Sequence, residues 1–164
     1  MKEHGQAWYE SPLGPIEIKS IDTRICQLNF HNSLDSTLIE STTMSSVILQ
    51  CIRELEEYFN HRRTRFDVAI EMEGTDFEKE VWSNLIQIPS GKTKSYKKVA
   101  IDLGDTNKVR AVGGAANRNK IPIIIPCHRV IGEDGGLVGY AGGIERKKWL
   151  LEHEGALLHQ LNIF

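Results

Sequence analysis

The segment Asn119-Lys120-Ile121-Pro122-Ile123-Ile124-Ile125-Pro126-Cys127-His128-Arg129-Val130 is the most informative stretch of the chain for its fold and its chemistry. An apolar run bracketed by two prolines ends in a cysteine that lies beside a histidine. A thiol is a poor nucleophile until it loses its proton, and its ordinary pKa is about 8.5. A histidine can take that proton, directly or through a water, when a third group orients the imidazole. Glu154, near the end of the last predicted helix, is a candidate orienting group.

Two interpretations of Cys127 and His128 follow from this pattern alone. A single buried cysteine is usually a core residue, whereas a cysteine beside a histidine can also be an activated nucleophile. Adjacent residues of an extended chain point to opposite faces. If the two residues act together, the chain therefore needs a relay through water or a local turn at this point.

Two short helices are predicted upstream of this segment. The first runs from Ser95 to Leu103 and is ended by Gly104, and Thr106 is the predicted cap of a second helix that continues to Asn117. Two short helices joined by a tight turn that contains glycine form a helix-turn-helix unit. We expect this unit at about 95–117, with the second helix as the recognition helix.

The predicted second helix has few long side chains. Arg110 lies near its start, and small residues follow it: Ala111, Gly113, Gly114, Ala115 and Ala116. Glycine inside a helix costs roughly 1 kcal/mol relative to alanine. A nearly bare helix suits close approach to a narrow surface such as the DNA minor groove and carries little sequence information. The alternative is that the small residues permit tight packing between helices.

The charge of the chain is uneven. The formal net charge is −2, yet the segment from Lys92 to Lys120 holds eight basic residues against Asp102 and Asp105. Such a patch on a near-neutral protein is typical of localised phosphate contact. A solvated lysine face is the other interpretation.

The first part of the chain has the pattern of a separate α+β domain. Short strands are predicted around 16–18 and 25–30, followed by a helix from about Met44 to Asn60 in which Cys51 is a core residue. The segment 65–72 is either a strand or an extended connector. A capping box at 75–78 begins the next helix, so a boundary near Gly74 is expected. We predict domains at 1–73 and 74–164, the second mostly helical.

Several classes of protein are disfavoured by the composition. The three cysteines are odd in number and widely spaced, which indicates a reducing, cytoplasmic environment and no disulfide framework. No apolar run is long enough to span a membrane, and no secretory signal is expected. Cys26 and His31 lack a second convincing pair of ligands, so no metal site is expected.

Several segments in order resemble the O6-alkylguanine-DNA alkyltransferase family, also called methylated-DNA–protein-cysteine methyltransferases. The similarity covers roughly 77–155, and an early Ser-Pro-Leu-Gly at 11–14 also fits the family's N-terminal domain. It is carried by Pro-Cys-His-Arg-Val at 126–130, Arg-Ala-Val-Gly-Gly-Ala at 110–115, Asn119, 91–96, Gly-Tyr-Ala-Gly-Gly at 139–143, Trp-Leu-Leu at 149–151 and His-Glu-Gly at 153–155.

The resemblance implies a fold and a reaction. The fold is α+β, a small ribonuclease-H-like α/β domain followed by a mostly helical domain with a helix-turn-helix. The reaction is DNA repair, in which the alkyl group of O6-alkylguanine moves once per molecule to Cys127, with O4-alkylthymine as a second candidate substrate. No cofactor is implied. The implied partner is double-stranded DNA containing alkylated guanine, bound by a monomer in the minor groove with the damaged base flipped out.

The resemblance also implies roles for individual residues. The catalytic group consists of the nucleophile Cys127, the water-mediated base His128, its orienting Glu154, the proton donor Tyr96, and Asn119, which ties the helix-turn-helix to the reactive segment. Residues matching DNA contacts are Arg110, which fills the gap left by the base, and Ala111, Gly113, Gly114, Ala115, Thr93 and Ser95. Those matching base recognition are Val130, Tyr140, Ala141 and Gly142. Ala141 replaces a serine of some relatives, which leaves the tolerance for bulky alkyl groups open.

Three rival functions predict different features. A non-catalytic lesion-binding relative would replace the cysteine, and here Cys127 is present. A helix-turn-helix transcription regulator would need base-reading side chains on its second helix. A cysteine hydrolase would turn over esters or peptides without DNA, and no oxyanion-hole motif supports it.

Overall fold

Three antiparallel strands begin the N-terminal unit in the computed structural model, which describes residues 1–34 and 43–156. They are β1 (His4–Ser11), β2 (Gly14–Ile21) and β3 (Arg24–Phe30), in the order β1-β2-β3. The two predicted strands are confirmed as β2 and β3. Strand β1 was not predicted, because its apolar alternation is weak and its only buried residues are Gly5 and Ala7.

Within the described residues of this unit, a helix packs on the sheet. Helix α1 (Ser46–Phe59) begins after Ser45, whose side chain accepts a hydrogen bond from the Ile48 amide. The prediction began this helix at Met44, but Met44 lies before the cap and its side chain is 50% exposed. Cys51 is fully buried, and burial raises the pKa of its thiol to about 12, in keeping with the predicted core role.

The segment 65–72 is an extended connector rather than a strand of the sheet. It is attached to the sheet by an isolated parallel bridge between Ile25 and Ile70. The carboxylate of Glu54, buried on α1, also accepts hydrogen bonds from the amides of Asp67 and Val68 at 2.7 and 3.1 Å. The buried Glu54 carboxylate therefore accepts the backbone hydrogen bonds that, in a sheet, the carbonyls of a neighbouring strand would accept.

The chain divides into two compact units, Met1–Glu73 and Gly74–Phe164. The second unit opens with α2 (Asp76–Ile86), where Thr75 and Glu78 form both hydrogen bonds of the predicted capping box. Its other elements are β4 (Lys94–Ser95), α3 (Tyr96–Asp102), α4 (Val109–Asn117), β5 (Val130–Ile131) and α5 (Ile144–His153), with single 3-10 turns at Thr106–Lys108 and Cys127–Arg129.

Helices α3 and α4 form the predicted pair, with one correction. Ser95 caps α3, and its hydroxyl accepts from the Lys98 amide at 3.0 Å. The predicted cap of the second helix, Thr106, instead begins a 3-10 turn that the Asp105 side chain caps. The α-helix itself starts at Val109 because the backbone passes through this tighter turn first.

A short parallel pairing in the second unit positions the site. Strands β4 and β5 are each two residues long, and they pair Lys94 with Val130 and Ser95 with Ile131. This pairing places the start of α3 beside the turn that carries Cys127. The core around it includes three isoleucines of the apolar run before Cys127: Ile121, Ile123 and Ile125.

The backbone of the apolar run is bent. Ile123 has φ 74°, a left-handed conformation in which a β-branched side chain is disfavoured by about 1–2 kcal/mol. Its side chain is 1% exposed, and the Ile125 amide donates to the Ile121 carbonyl at 2.9 Å. Tight packing therefore holds a strained loop directly before Cys127.

Candidate active site

Cys127 begins the 3-10 turn Cys127–Arg129, so the chain has the local turn that was one of the two expected ways for Cys127 and His128 to act together. Cys127 is 6% exposed, and its Sγ accepts a hydrogen bond from Nδ2 of Asn119 at 3.2 Å. Burial raises the pKa of the thiol to about 11, although the bond from Asn119 opposes this shift. At neutral pH the resting group is therefore a thiol that needs a base.

Asn119 links the end of α4 to the loop before Cys127. Its Nδ2 donates to the Ile125 carbonyl at 2.8 Å, and its Oδ1 accepts from the Ile121 amide at 2.9 Å. The side chain is buried and all three contacts lie on the reactive segment. This geometry fits the tying role that the family resemblance implied for Asn119.

His128, Glu154 and Arg129 form a buried polar cluster. The imidazole is fully buried, and its Nε2 lies 2.8 Å from Oε2 of Glu154. Arg129 donates from Nε and Nη2 to both carboxylate oxygens at 2.8 and 2.9 Å, and from Nη1 to the Ile88 carbonyl at 2.6 Å. Arg129 was not among the predicted site residues, although its place in Pro-Cys-His-Arg-Val was a usable signal.

The protonation states in this cluster follow from burial and charge. Burial alone would raise the pKa of Glu154, but the charges and hydrogen bonds of His128 and Arg129 hold it well below its usual range. Burial lowers the pKa of His128 and outweighs the opposing attraction of Glu154. We therefore assign an ionised Glu154 paired with Arg129 and a neutral His128, because Arg129 is the permanent cation.

The tautomer of His128 follows from these contacts. With Glu154 ionised, Nε2 carries the hydrogen and donates it to the carboxylate. The lone pair then lies on Nδ1, which has no hydrogen-bond partner in residues 1–34 and 43–156. Nδ1 is therefore the atom that can accept a proton.

The buried neutral imidazole makes stability depend on pH. The pKa of His128 is lower in the folded than in the unfolded chain, where it is about 6.5, so acidification protonates the unfolded chain first. We expect the free energy of unfolding to fall by about 1 kcal/mol from this group between pH 7.5 and 5.5. Urea unfolding at several pH values measures this slope, and His128→Gln, whose amide can still donate to Glu154, should reduce it. An equal slope in the variant would contradict the assignment.

Tyr96 is the first residue of α3 and lies beside a loop before α5. Its hydroxyl donates to the Val138 carbonyl at 2.9 Å, and burial raises the pKa of the phenol to about 12. Nζ of Lys147 lies 3.3 Å from Tyr96 Oη, 3.1 Å from the Val138 carbonyl and 3.4 Å from the Gly139 carbonyl. Lys147 was missed by the sequence analysis, although it shares a helical stripe with Leu150 and Leu151.

The loop that the resemblance assigned to base recognition has mixed exposure. Burial raises the pKa of the Tyr140 phenol well above its usual value, whereas Ala141 is exposed and the Gly142 carbonyl accepts from Arg146. Val130 is fully buried, and its amide already donates to the Cys127 carbonyl. The Val130 amide is thus engaged within the turn.

The small residues of helix α4 lie on two faces, one exposed and one buried. Arg110 and Ala111 are exposed, and Gly113 and Gly114 are half-buried. Ala115 is fully buried, and its carbonyl accepts from Nε1 of Trp82 at 2.9 Å. Ala115 was predicted to contact DNA, but its side chain is fully buried, because the helical period turns that residue away from the exposed face. Packing within the protein therefore explains Ala115, while Ala111 remains on the exposed face of the helix.

The basic segment is partly neutralised by neighbouring carboxylates. Asp102 pairs with both Lys94 and Lys98, at 2.7 and 3.1 Å. Two acidic residues outside the segment pair with it as well: Lys97 with Glu133 at 3.5 Å, and Arg118 with Glu78. The local positive excess is smaller than the sequence count indicated. Arg110 is exposed on α4, and Thr93 and Ser95 are half-buried before α3.

The described ranges hold neither a candidate metal cluster nor a candidate membrane span. No group of three or more His, Cys, Asp or Glu side chains there could hold a metal ion. No helix within 1–34 or 43–156 combines the length and apolar character that crossing a membrane requires.

Comparisons with known proteins match both units. The family model described as 6-O-methylguanine DNA methyltransferase, DNA binding domain, matches residues 76–156, and the corresponding ribonuclease-like domain matches residues 6–72. The methylated-DNA–protein-cysteine methyltransferase of Methanosarcina barkeri is 43% identical over 147 residues, covering 88% of this chain and 93% of the relative. The Mycobacterium tuberculosis protein of the same name is 39% identical over 146 residues, covering 88% of each chain.

Solved structures give the same result. The crystal structure of Mycobacterium tuberculosis O6-methylguanine methyltransferase has a TM-score of 0.83 and 37% identity, covering 94% of each chain. A crystal structure of the Mycobacterium tuberculosis OGT in complex with DNA has a TM-score of 0.81 and 39% identity, covering 91% of each chain. The α+β fold expected from the sequence is thereby confirmed.

Proposed function

The chain belongs to the 6-O-methylguanine DNA methyltransferase family, and on that premise we propose that it repairs alkylated DNA by transferring the alkyl group of O6-alkylguanine to Cys127. The observation that carries this proposal is the buried thiol of Cys127 on the same turn as His128, whose imidazole is oriented by Glu154 at 2.8 Å. O4-alkylthymine has the same type of alkyl–oxygen bond and is a second expected substrate.

The first chemical step is removal of the thiol proton. With a pKa of about 11, forming the thiolate at pH 7.4 costs about 5 kcal/mol, which makes a nearby base necessary. Nδ1 of His128 accepts the proton, directly or through a water. The imidazolium that forms is stabilised by the ionised carboxylate of Glu154.

The second step is an in-line displacement at the alkyl carbon. A bond forms between Cys127 Sγ and this carbon while the carbon–O6 bond breaks, and its electron pair leaves with the guanine. Tyr96 Oη donates a proton or hydrogen bond to the base as negative charge develops there. The product thioether has no good leaving group, so the thiol is not regenerated and each molecule acts once. The reaction needs no cofactor.

The target atom lies inside a duplex, so the nucleotide must leave the base stack. We propose that the helix-turn-helix formed by α3 and α4 binds the minor groove. Exposed Ala111 and half-buried Gly113 and Gly114 carry no long side chain, which supports a close backbone approach, and exposed Arg110 is a candidate to occupy the gap left by the base. Thr93 and Ser95 contribute contacts before α3. The loop at 140–142 receives the flipped base, together with backbone groups near Cys127.

Arg110→Ala should separate base flipping from chemistry. We expect alkyl transfer from duplex DNA to slow by about tenfold or more, while transfer from a free O6-alkylguanine base stays within about twofold, because only the duplex needs the gap filled. Single-turnover rates on the two substrates measure this. Arg110→Lys retains the charge on a shorter, differently shaped group, so it should recover only part of the loss. Equal losses on both substrates would argue against a base-flipping role.

The proposal extends to the state of the protein in the cell. We propose a cytoplasmic monomer. All the proposed catalytic groups lie on one chain, and Cys26, Cys51 and Cys127 are all free and buried, which supports a reducing environment.

Intact-protein mass after incubation with duplex DNA that carries one O6-methylguanine tests the function. We expect a single gain of one methylene unit, about 14 Da, located on the Cys127 peptide by mapping. Tight binding to the lesion without a mass gain would instead indicate a damage sensor. Neither binding nor gain would reject the proposed function, and undamaged duplex is the matched control.

A further inference from the structure

Lys147 is a charged residue that the proposed reaction has not yet used. It lies in the first half of α5 and is fully buried. Its ammonium contacts three oxygen atoms: Oη of Tyr96 at 3.3 Å and the carbonyls of Val138 and Gly139 at 3.1 and 3.4 Å. It also lies 5.6 Å from the centroid of the Tyr96 ring. One cation thus connects three chain segments.

This ammonium has no counter-ion in the described part of the chain, since none of its contacts there is a carboxylate. Burying an unpaired cation is unfavourable, and such a group usually loses its charge or gains an anion. Burial indeed lowers the pKa of Lys147 to about 8, so the cation is still the main form at neutral pH. The unfavourable charge therefore calls for an anion that is present only at times.

The carbonyl contacts alone do not explain a buried lysine. Val138 is 56% exposed, and Gly139 is exposed as well. Water can supply hydrogen bonds to carbonyls in such a loop, so their satisfaction does not require a buried cation. Tyr96 Oη is the remaining contact, and it is the group from which the proposed reaction takes a proton.

We propose, on the basis of the proposed function, that Lys147 is a positioning residue that acts through Tyr96. Its ammonium holds Oη at the loop and offsets negative charge on the phenol oxygen. When the O–H bond of Tyr96 breaks and its proton passes to the departing guanine, the electron pair left on Oη lies beside the ammonium. A Cys127 thiolate also attracts this ammonium, but in the described part of the chain no hydrogen bond joins the two groups, whereas Tyr96 Oη lies 3.3 Å from Nζ. The anion that Lys147 stabilises is therefore the phenolate formed, in part or fully, during transfer, and equal losses from Lys147→Gln with and without Tyr96 would point to the thiolate instead.

A double-mutant cycle tests this inference. Transfer from O6-methylguanine duplex is followed by intact mass at increasing DNA concentration for the unmodified protein, Lys147→Gln, Tyr96→Phe and the double variant. Glutamine keeps a hydrogen-bond donor and removes the charge. We expect Lys147→Gln to lower the maximal rate about tenfold with an unchanged half-saturating DNA concentration, because the ammonium is buried. In the Tyr96→Phe background the same change should alter the rate by less than about twofold.

Two further variants separate charge from structure. Lys147→Arg restores a cation and should recover most of the maximal rate, whereas Lys148→Met removes the exposed charge next along α5 and should leave that rate unchanged. Full activity in Lys147→Gln, or equal losses from it with and without Tyr96, overturns the role of Lys147 while the proposed function stands. Absence of transfer in the unmodified protein overturns the proposed function and this inference with it.

Discussion

Cys127→Ala protein should bind duplex DNA that contains O6-methylguanine and transfer none of its methyl groups. Alanine removes the sulfur that forms the new bond, while the exposed face of α4 that we propose to contact DNA is unchanged. Intact mass reports transfer, and fluorescence anisotropy of labelled duplex reports binding. The expected loss of transfer is complete, and the dissociation constant should change by less than about threefold.

The control for this change is a second cysteine. Cys26→Ala removes a buried thiol from the N-terminal unit and should leave the mass gain intact. Cys127→Ser keeps an atom that can accept from Asn119, but a hydroxyl is far harder to ionise than a thiol, so it should also fail to transfer. A mass gain in Cys127→Ala would show that another residue is the nucleophile.

Arg129→Met should give the largest loss of stability among the substitutions considered. Methionine fills a similar volume, but it leaves the carboxylate of Glu154, whose side chain is 1% exposed, without its permanent cation. Removing one partner of a buried ion pair typically costs 3–5 kcal/mol, so we expect a destabilisation of about 3 kcal/mol or more. Urea unfolding measures it through the shift in midpoint.

A matched arginine provides the comparison. Arg118 also pairs with a glutamate, but its side chain is 61% exposed, so Arg118→Met should cost about 1 kcal/mol or less. Adding Glu154→Gln to Arg129→Met removes the unpaired charge and should recover part of the loss. Equal destabilisation by the two arginine changes would mean that burial of the Glu154 pair does not matter.

Some helix caps and helix faces were predicted correctly from the sequence, because they depend on residues that are close together in the chain. The capping box at Thr75 and Glu78, the apolar stripe of α1 and the helix that follows Ser95 each depend on residues three or four apart. The strands of the N-terminal sheet were predicted only where isoleucine and leucine alternate. Strand β1 was missed because its sequence is mostly polar or aromatic and shows little alternation.

Contacts between distant residues could not be derived from such patterns. Arg129 meets Glu154 25 residues further on, and Tyr96 meets Lys147 51 residues further on. The β4–β5 pairing, which places Tyr96 beside the turn of Cys127, was equally hidden, because a strand of two residues has no periodicity to detect. The role of Asn119 was indicated only by family resemblance, whereas its three hydrogen bonds are a property of the folded loop.

The burial of Cys127 has a consequence for the lifetime of the protein before it meets DNA. A thiol that is 6% exposed, with a pKa of about 11, holds very little thiolate at neutral pH, and thiolate is the form that peroxides and soluble electrophiles attack. A protein that reacts only once is inactivated completely by a single side reaction at this thiol. The same burial that raises the pKa of Cys127 therefore also protects the thiol from these reagents, so that the protein stays active until it binds damaged DNA.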